Sequence, residues 1–320
     1  MRIAVIVPVS PFEEWEVVRR SIEHLKTLDY GDFEVKLVYV IDKRDERDER
    51  VELARSMGVD VVARDDRRGK RGGAINDALD YLEDFSPKYI AIFDVDSRPE
   101  GNFVVECVRA LENCQKCYIA SSKRYIYNGT NLVSETIEAE YYLLNFLLTK
   151  SGFKQFNGMI GVLRAEVLME ERLNEAAVAE DADFATRMHA KGLKALLVTT
   201  TKLKEQAPLT WRDLYNQRKR WYYGGLQLWR YRRLMSKADF GVRFSWYLAL
   251  TLTYLPALLS PLLLLSPFFL LYHYRKLSKL KVTVGLIIHA FLLQIAAIDA
   301  LLSFRRNREV KWGAMQRVVD

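Results

Sequence analysis

From residue 3 to about residue 200, short apolar runs of strand character alternate with segments of helical period, and this alternation restricts the fold more than any other feature. The runs are Ile3–Val9, Glu34–Ile41, Tyr89–Phe93 and Tyr118–Ser121; the helical periods include Trp15–Leu25 and Ala74–Phe85. Such a pattern predicts an α/β domain with a mainly parallel sheet. In sheets of that kind ligands bind beyond the carboxyl ends of the strands, so the chemistry is expected there. The opening run stops at Pro8 and is too short for a signal peptide, so it reads as a first strand, with no membrane segment expected ahead of it.

Two of the strands end in acids at that edge. Asp42 follows Leu37–Ile41, and Asp94-Val95-Asp96 follows Tyr89–Phe93. An Asp-x-Asp pair at a strand exit aims two carboxylates at one hard cation, and Mn²⁺ or Mg²⁺ takes such oxygens together with substrate phosphates. The alternative is capping of the following loop or helix. Between these strands, residues 65–76 form a basic, Gly-rich stretch leading into a helix. Its glycines admit close backbone approach, Lys70 adds a point charge, and the helix start favours an anion. A solvated turn is the competing account; a Walker loop is excluded by spacing.

Farther on, residues 157–164 precede Glu180, Asp181 and Asp183, which crowd the start of a helix running to Lys191. These acids either compensate the helix dipole or include a catalytic base, since a hydroxyl attacking an anomeric carbon needs a carboxylate to take its proton. The last element, Trp211–Tyr223, puts Gln217, Arg220 and Trp221 at i, i+3 and i+4 on one face. A guanidinium matches phosphate oxygens and an indole offers a plate for a sugar ring, so this face suits a glycosyl diphosphate. The same helix, with Trp221, Tyr222, Tyr223, Trp229 and Tyr231, also suits a bilayer surface.

Charge is divided unevenly along the chain. Residues 211–320 carry 18 Lys/Arg against 5 Asp/Glu, and the other 210 residues carry 30 against 36. Because the basic residues flank apolar runs and aromatic side chains, an anionic lipid surface is the expected partner and nucleic acid is not. Cys107, Cys114 and Cys117 lack zinc-site spacing and read as reduced thiols. Trp246–Tyr272 spans 27 residues, about 40 Å as a helix, but contains Pro256, Pro261 and Pro267, which leave a kinked span or a re-entrant hairpin open. Val282–Ser303, 22 residues and about 33 Å, fits one crossing of a bilayer and carries His289, Gln294 and Asp299. Arg305, Arg306, Arg308 and Lys311 place the tail on the cytoplasmic side by the positive-inside rule, although the equally basic loop at residues 273–281 opposes a simple hairpin.

Taken together, the ordered motifs resemble glycosyltransferase family 2, in its branch with cellulose, chitin and hyaluronan synthases and lipid glycosyltransferases. The pieces, spread over residues 1–235, are Val5-Ile6-Val7-Pro8, Asp42, Lys70 with Gly73-Ala74-Ile75-Asn76, Asp94-Val95-Asp96, Gly158–Arg164, Glu180-Asp181 and Gln217-Arg218-Lys219-Arg220-Trp221. The resemblance implies a GT-A-type nucleotide-sugar-binding domain over residues 1–208, an interfacial amphipathic helix region over 209–242, C-terminal transmembrane helices over 243–305 and a basic tail over 306–320. It further implies Asp42 near nucleobase and ribose, Lys70 near the nucleotide, and Asp94 and Asp96 around a Mn²⁺ or Mg²⁺ diphosphate. Asp181 is then the catalytic base, Glu180 and Trp221 face the acceptor, and Gln217, Arg220 and Trp221 close over the donor.

This sequence has Asp42-Lys43 where many family members have two acids, and its membrane portion is small. The implied activity is inverting, metal-dependent transfer from a UDP-sugar to a lipid or glycan acceptor, with the catalytic domain on the cytoplasmic face of a membrane. Two apolar stretches are too few to enclose a polar lumen, so a lipid acceptor is favoured over a polymer made by an oligomeric synthase. An inactive sugar-nucleotide or lipid-binding protein is the non-enzyme alternative, and it would be expected to lack Asp94, Asp96 or Asp181.

Overall fold

One apolar run, divided between two faces by the strand repeat, organises the centre of the molecule. In the computed structural model, which describes residues 1–252, 255–308, 310 and 313, Arg2–Val9 forms strand β1. Ile3, Val5, Val7 and Val9 pack into one core, and Ala4 and Ile6 into a second on the opposite face. The same division repeats in β2 (Glu34–Asp42), with Tyr39 and Ile41 against Val38 and Val40, and in β4 (Tyr89–Ile92), with Tyr89 and Ala91 against Ile90 and Ile92. Strands buried on both faces need cover on both. Helices α1 (Trp15–Lys26), α2 (Glu49–Ser56) and α4 (Phe103–Glu112) cover the first face, while α3 (Lys70–Tyr81), α6 (Ala165–Glu171) and α7 (Glu180–Ala190) cover the second.

The remaining strands are β3 (Asp60–Arg64), β5 (Arg98–Pro99), β6 (Cys117–Ile126), β7 (Gly161–Arg164) and β8 (Lys194–Glu205), in the sheet order β3-β2-β1-β4-β7-β6-β8-β5. Six strands share one direction, whereas β7 runs against β4 and β6, and β5 against β8. The sheet is therefore mixed rather than simply parallel. A 3₁₀ turn over Asn157–Met159 precedes β7, which then runs back against β4.

Beyond the sheet come α5 (Leu132–Lys150), α8 (Trp211–Leu228), α9 (Arg232–Met235), α10 (Phe240–Leu252), α11 (Ser266–Tyr274) and α12 (Val282–Arg305). Helix α8 lies close on the start of α7: a Cβ at Gly224 would stand 2.4 Å from that of Ala179, so only glycine admits the approach. Gly285 does the same for α12 against α5, where a Cβ would fall 2.0 Å from Thr136 Oγ1.

Several expectations need amendment. The Gly-rich stretch does lead into a helix: residues 65–69 form a turn ending at Gly69 with φ +62°, and α3 begins at Lys70, so that Gly72 and Gly73 lie in its first turn. The apolar stretch from Trp246 to Tyr272 is not one helix: it divides into α10, a 3₁₀ segment over Pro256–Leu265 and α11, as its prolines would require. Residues 253 and 254 of that stretch lie outside the described residues, as does Lys311 with most of the basic tail. Among the described residues, Leu277–Arg305 alone is long and apolar enough to cross a membrane. Cys114 and Cys117, read as free thiols, form a disulfide, leaving Cys107 as a buried thiol.

Candidate active site

The carboxyl edge of the sheet opens into a cavity of about 530 Å³. Asp42, Lys70, Asp94, Asp96, Glu180, Asp181, Gln217, Arg220 and Trp221, singled out from sequence, all line it. They arrive from the ends of β2 and β4, from α3, from the start of α7 and from one face of α8, elements separated by up to 179 residues of chain.

Strand β2 delivers Asp42 into a buried position, where its Oδ1 accepts a 2.9 Å bond from Arg64 at the end of β3. Burial raises the Asp42 carboxyl above the usual aspartate range, although Arg64 works in the opposite direction. Arg64 also pairs with Asp77 at 2.7 Å and donates to the Lys70 carbonyl at 3.1 Å. It thereby ties the second strand to the start of α3. Lys70, expected to hold the nucleotide, takes φ +51° at this junction.

The central cation is the next residue. Arg71 sits between Asp94 at 2.9 Å and Glu180 at 3.0 Å, and donates to the Gly158 carbonyl at 2.5 Å. Burial opposes its charge, but Asp94, Glu180 and Asp181 outweigh that and hold the guanidinium above its ordinary value. Burial raises the Glu180 carboxyl in turn, against the pull of Arg71. Gly158 is held from both sides: its amide donates to Asp181 Oδ2 at 2.6 Å. At φ +63° it takes a left-handed conformation, and a Cβ there would come 3.1 Å from Asp94 Oδ2 and 3.3 Å from Arg71 Nη2. One glycine thus joins the metal-candidate acid, the central arginine and the base-candidate acid.

The three acids opening α7 separate into distinct roles. Glu180 is engaged by Arg71. Asp183 is fully buried and takes bonds from Arg187 at 3.1 Å, Asn174 at 3.2 Å, Tyr231 at 2.9 Å and Arg230, fastening α7 to the segment after α8. Asp181 accepts from two backbone amides, those of Gly158 at 2.6 Å and of Ala182 at 2.8 Å. Each carboxylate oxygen has a second lone pair, so Asp181 retains capacity for a proton.

On α8, Arg220 is deeply enclosed, and burial lowers its pKa from the ordinary value, with Glu180, Asp181 and Asp94 opposing and Arg71 adding. The Trp221 ring carries the Arg218 guanidinium 4.1 Å from its centroid, and Arg218 is anchored to Glu140 of α5 at 2.5 Å. Glu205, at the end of β8, also faces the cavity, held by Arg124 at 3.0 Å and by Tyr141. Val310 and Gly313, past the end of α12, complete the lining.

Asp94 and Asp96 fit a divalent cation shared with a ligand. Both offer hard oxygens at one strand exit, but Asp94 Oδ1 is committed to Arg71, and among the described residues no group of three or more His, Cys, Asp or Glu could hold an ion alone. The diphosphate of a donor would have to complete the shell. Arg64 and Arg71 were not singled out from sequence, and Gly158 entered there only as the start of the Gly158–Arg164 motif. The signal available for Arg71 was only its place one residue after Lys70 in a basic, glycine-rich run.

The chain is similar to known proteins along most of its length. Residues 4–168 match the description "Glycosyl transferase family 2" and residues 89–298 match "Glycosyl transferase family group 2". Glucomannan 4-beta-mannosyltransferase 9 of Arabidopsis thaliana is 26% identical over 240 residues, covering 71% of this chain and 45% of that protein. Probable glucomannan 4-beta-mannosyltransferase 7 of Oryza sativa subsp. japonica is 28% identical over 184 residues, covering 55% and 32%. The chain thus spans less than half the length of these curated relatives. Among solved structures, the mannosyltransferase PcManGT from Pyrobaculum calidifontis, in complex with GDP-Man and Mn²⁺, superposes with a TM-score of 0.64 at 17% identity, covering 96% of this chain and 88% of that one. S. aureus TarS 1–349 gives 0.52 at 16%, covering 97% and 93%. These likenesses identify the fold as the mixed α/β sheet of GT-A glycosyltransferases.

Proposed function

The chain belongs to glycosyl transferase family 2 and is a glycosyltransferase with a nucleotide-sugar donor, and from that premise we propose that it transfers mannose from GDP-mannose, with inversion, to a hydroxyl of a membrane-borne acceptor. The observation that carries the reading is the convergence of nine separately chosen residues on one cavity, with Asp181 oriented by two backbone amides. The motifs alone led to a UDP-sugar. The mannosyltransferase names of the curated relatives, and the GDP-Man in the P. calidifontis enzyme, favour a guanine nucleotide and a mannosyl group instead.

In this mechanism the acceptor oxygen bonds to the anomeric carbon as the bond from that carbon to the diphosphate oxygen breaks, and Asp181 takes the hydroxyl proton. Two amide donors orient its carboxylate without consuming its capacity. Arg71 fixes Asp94 and Glu180, so that the acids around the diphosphate keep their places as charge develops. Lys70 and Arg220 add positive charge to the same cavity, and Trp221 presents its ring to a sugar. A divalent cation held by Asp94 and Asp96 with the diphosphate would neutralise the leaving group.

The reading is tested by incubating detergent-solubilised protein with GDP-mannose, UDP-glucose or UDP-N-acetylglucosamine, with and without Mn²⁺, and measuring nucleotide release in the presence and absence of lipid extract. Mn²⁺-dependent release of GDP, raised by lipid, is expected; release from UDP-sugars alone would refute the donor assignment. The names of the curated relatives favour a polymeric glycan as a second acceptor reading. A ladder of water-soluble products rather than one mass increment on an extractable lipid would select it.

A further inference from the structure

Helix α12 has the length and apolarity of a membrane crossing, yet its surroundings do not suit one. Its two faces differ. Val282, Gly285, His289, Ala290, Ala296, Ala297, Ala300 and Ser303 are buried and mostly small, whereas Val284, Ile288, Phe291, Ile295, Ile298 and Leu302 form an exposed stripe at spacings of four and three. The small face packs on α5 and α8, both of which line the cavity through Ile137 and Tyr141, and through Gln217, Arg220 and Trp221.

Both ends of α12 are fastened to the catalytic domain. At its start, Lys281 pairs with Glu135 of α5 at 2.8 Å, and Lys279 with Glu135 at 3.4 Å and Glu138 at 3.2 Å. Along its second half, Asp299 bonds Lys219 at 2.7 Å and Tyr215 at 2.5 Å of α8, and Phe304 meets Tyr223 with ring centroids 5.4 Å apart. After its end, Val310 lines the cavity. A helix of 24 residues reaches about 36 Å, enough to cross a hydrocarbon core of about 30 Å. Crossing here would carry Lys219 and the cavity-lining face of α8 into the hydrocarbon, where charged groups and a hydrated sugar nucleotide have no partners.

Other helices also expose large apolar side chains. Phe240, Phe244, Leu248 and Leu252 are exposed on α10, Leu264 and Leu265 just before α11, and Phe268 and Phe269 within it. Exposed Arg232, Arg233, Lys237, Arg275, Lys276, Lys281, Arg305, Arg306 and Arg308 flank these segments in the chain, and between residues 231 and 308 the only acids are Asp239 and Asp299. An apolar surface with basic flanks is complementary to one leaflet of an anionic bilayer.

We infer that helices α10, α11 and α12 form an in-plane anchor, embedded in a single leaflet of an anionic phospholipid membrane, and that α12 does not cross. This sharpens the membrane placement in the reading above but needs no turnover to test. Cysteine is introduced into the full chain at Ser278→Cys, Arg306→Cys and, as a catalytic-domain reference, Glu83→Cys, and sealed membrane vesicles are treated with an impermeant maleimide. The native cysteines are buried or disulfide-bonded, so the added thiol reports alone. All three are expected to label from the same side; labelling of Ser278→Cys and Arg306→Cys from opposite sides overturns the inference. Purified Phe291→Glu/Ile295→Glu protein should bind phosphatidylcholine–phosphatidylglycerol vesicles about tenfold less tightly with an unchanged melting temperature. Unchanged vesicle binding, with loss of a dimer instead, would assign the face to a second copy of the chain and refute the lipid assignment. GDP-mannose turnover, scored separately, decides the functional reading by itself.

Discussion

Replacing Arg71 by methionine keeps most of the side-chain volume and removes the one cation joining Asp94, Glu180 and the Gly158 carbonyl. The contact with Asp94 counts for little in stability, because that carboxylate is 39% exposed and water screens the pair. Glu180, only 10% exposed, loses its ion-pair partner at 3.0 Å, and removing one partner of such a pair costs about 3 kcal/mol. A loss of that size lowers Tm by about 5 °C or more in a chain this long. Adding Glu180→Gln to Arg71→Met removes the orphaned charge and should restore about 1–2 kcal/mol, since deleting both partners is far milder than deleting one. Turnover should stay low in the double variant, because Asp94 remains without its guanidinium. Differential scanning calorimetry on the wild type, the two single variants and the double variant gives the coupling. Strictly additive losses, or an Arg71→Met protein that melts with the wild type, would refute the account of Arg71 as the organising cation.

Asp181→Asn keeps the shape and an oxygen that can accept from an amide but cannot take the proton. Donor affinity should be retained and turnover should fall about 10²–10⁴-fold, with undiminished turnover excluding Asp181 as base. Asp96→Ala should abolish the Mn²⁺-dependent part of donor affinity in calorimetry, and a wild type whose affinity ignores Mn²⁺ would defeat the metal assignment. Burial lowers the pKa of His189 in the folded chain, so the unfolded chain binds the extra proton first and stability falls as pH drops below the ordinary value of 6.5. His189→Phe should flatten that loss by up to about 1.4 kcal/mol per pH unit between pH 6.5 and 5, read as Tm against pH; an unaltered slope assigns the effect elsewhere.

Strand ends and helix starts were the legible part. Asp42, Asp94 and Asp96 could be placed because a carboxylate following a buried apolar run must emerge at a sheet edge, and Gln217, Arg220 and Trp221 because helical spacing gives them one face. What a guanidinium touches was not legible, since Arg71 and Arg64 find acids up to 109 residues away through tertiary placement alone. Their neighbours Arg67 and Arg68 look identical in composition. Asp183 could not be told from Asp181, two positions earlier on the same helix start, because only the tertiary fold turns one toward Arg230 and Tyr231 after α8 and the other toward Gly158. For α12 the difficulty was different: small and large apolar residues both suit lipid, so mean hydropathy cannot reveal that the small ones face protein and the large ones face outward. Likewise the reversal of β7 leaves no mark in a strand of four residues.

The stacking of Arg218 on Trp221, with Arg218 itself pinned by Glu140, bears on affinity through rigidity. An indole free to turn would lose its rotamer freedom each time a ligand settled on it, at about 0.5–1.5 kcal/mol per immobilised side chain. Here that disorder is given up once, when the chain folds, and binding finds the ring already still. In the proposed complex a pyranose laid on the open side of Trp221 would therefore bind up to about tenfold more tightly than it would to an unbraced tryptophan. The brace belongs to α5 and α8 together, so the stiffness of this platform is a property of the helix pair rather than of the aromatic residue.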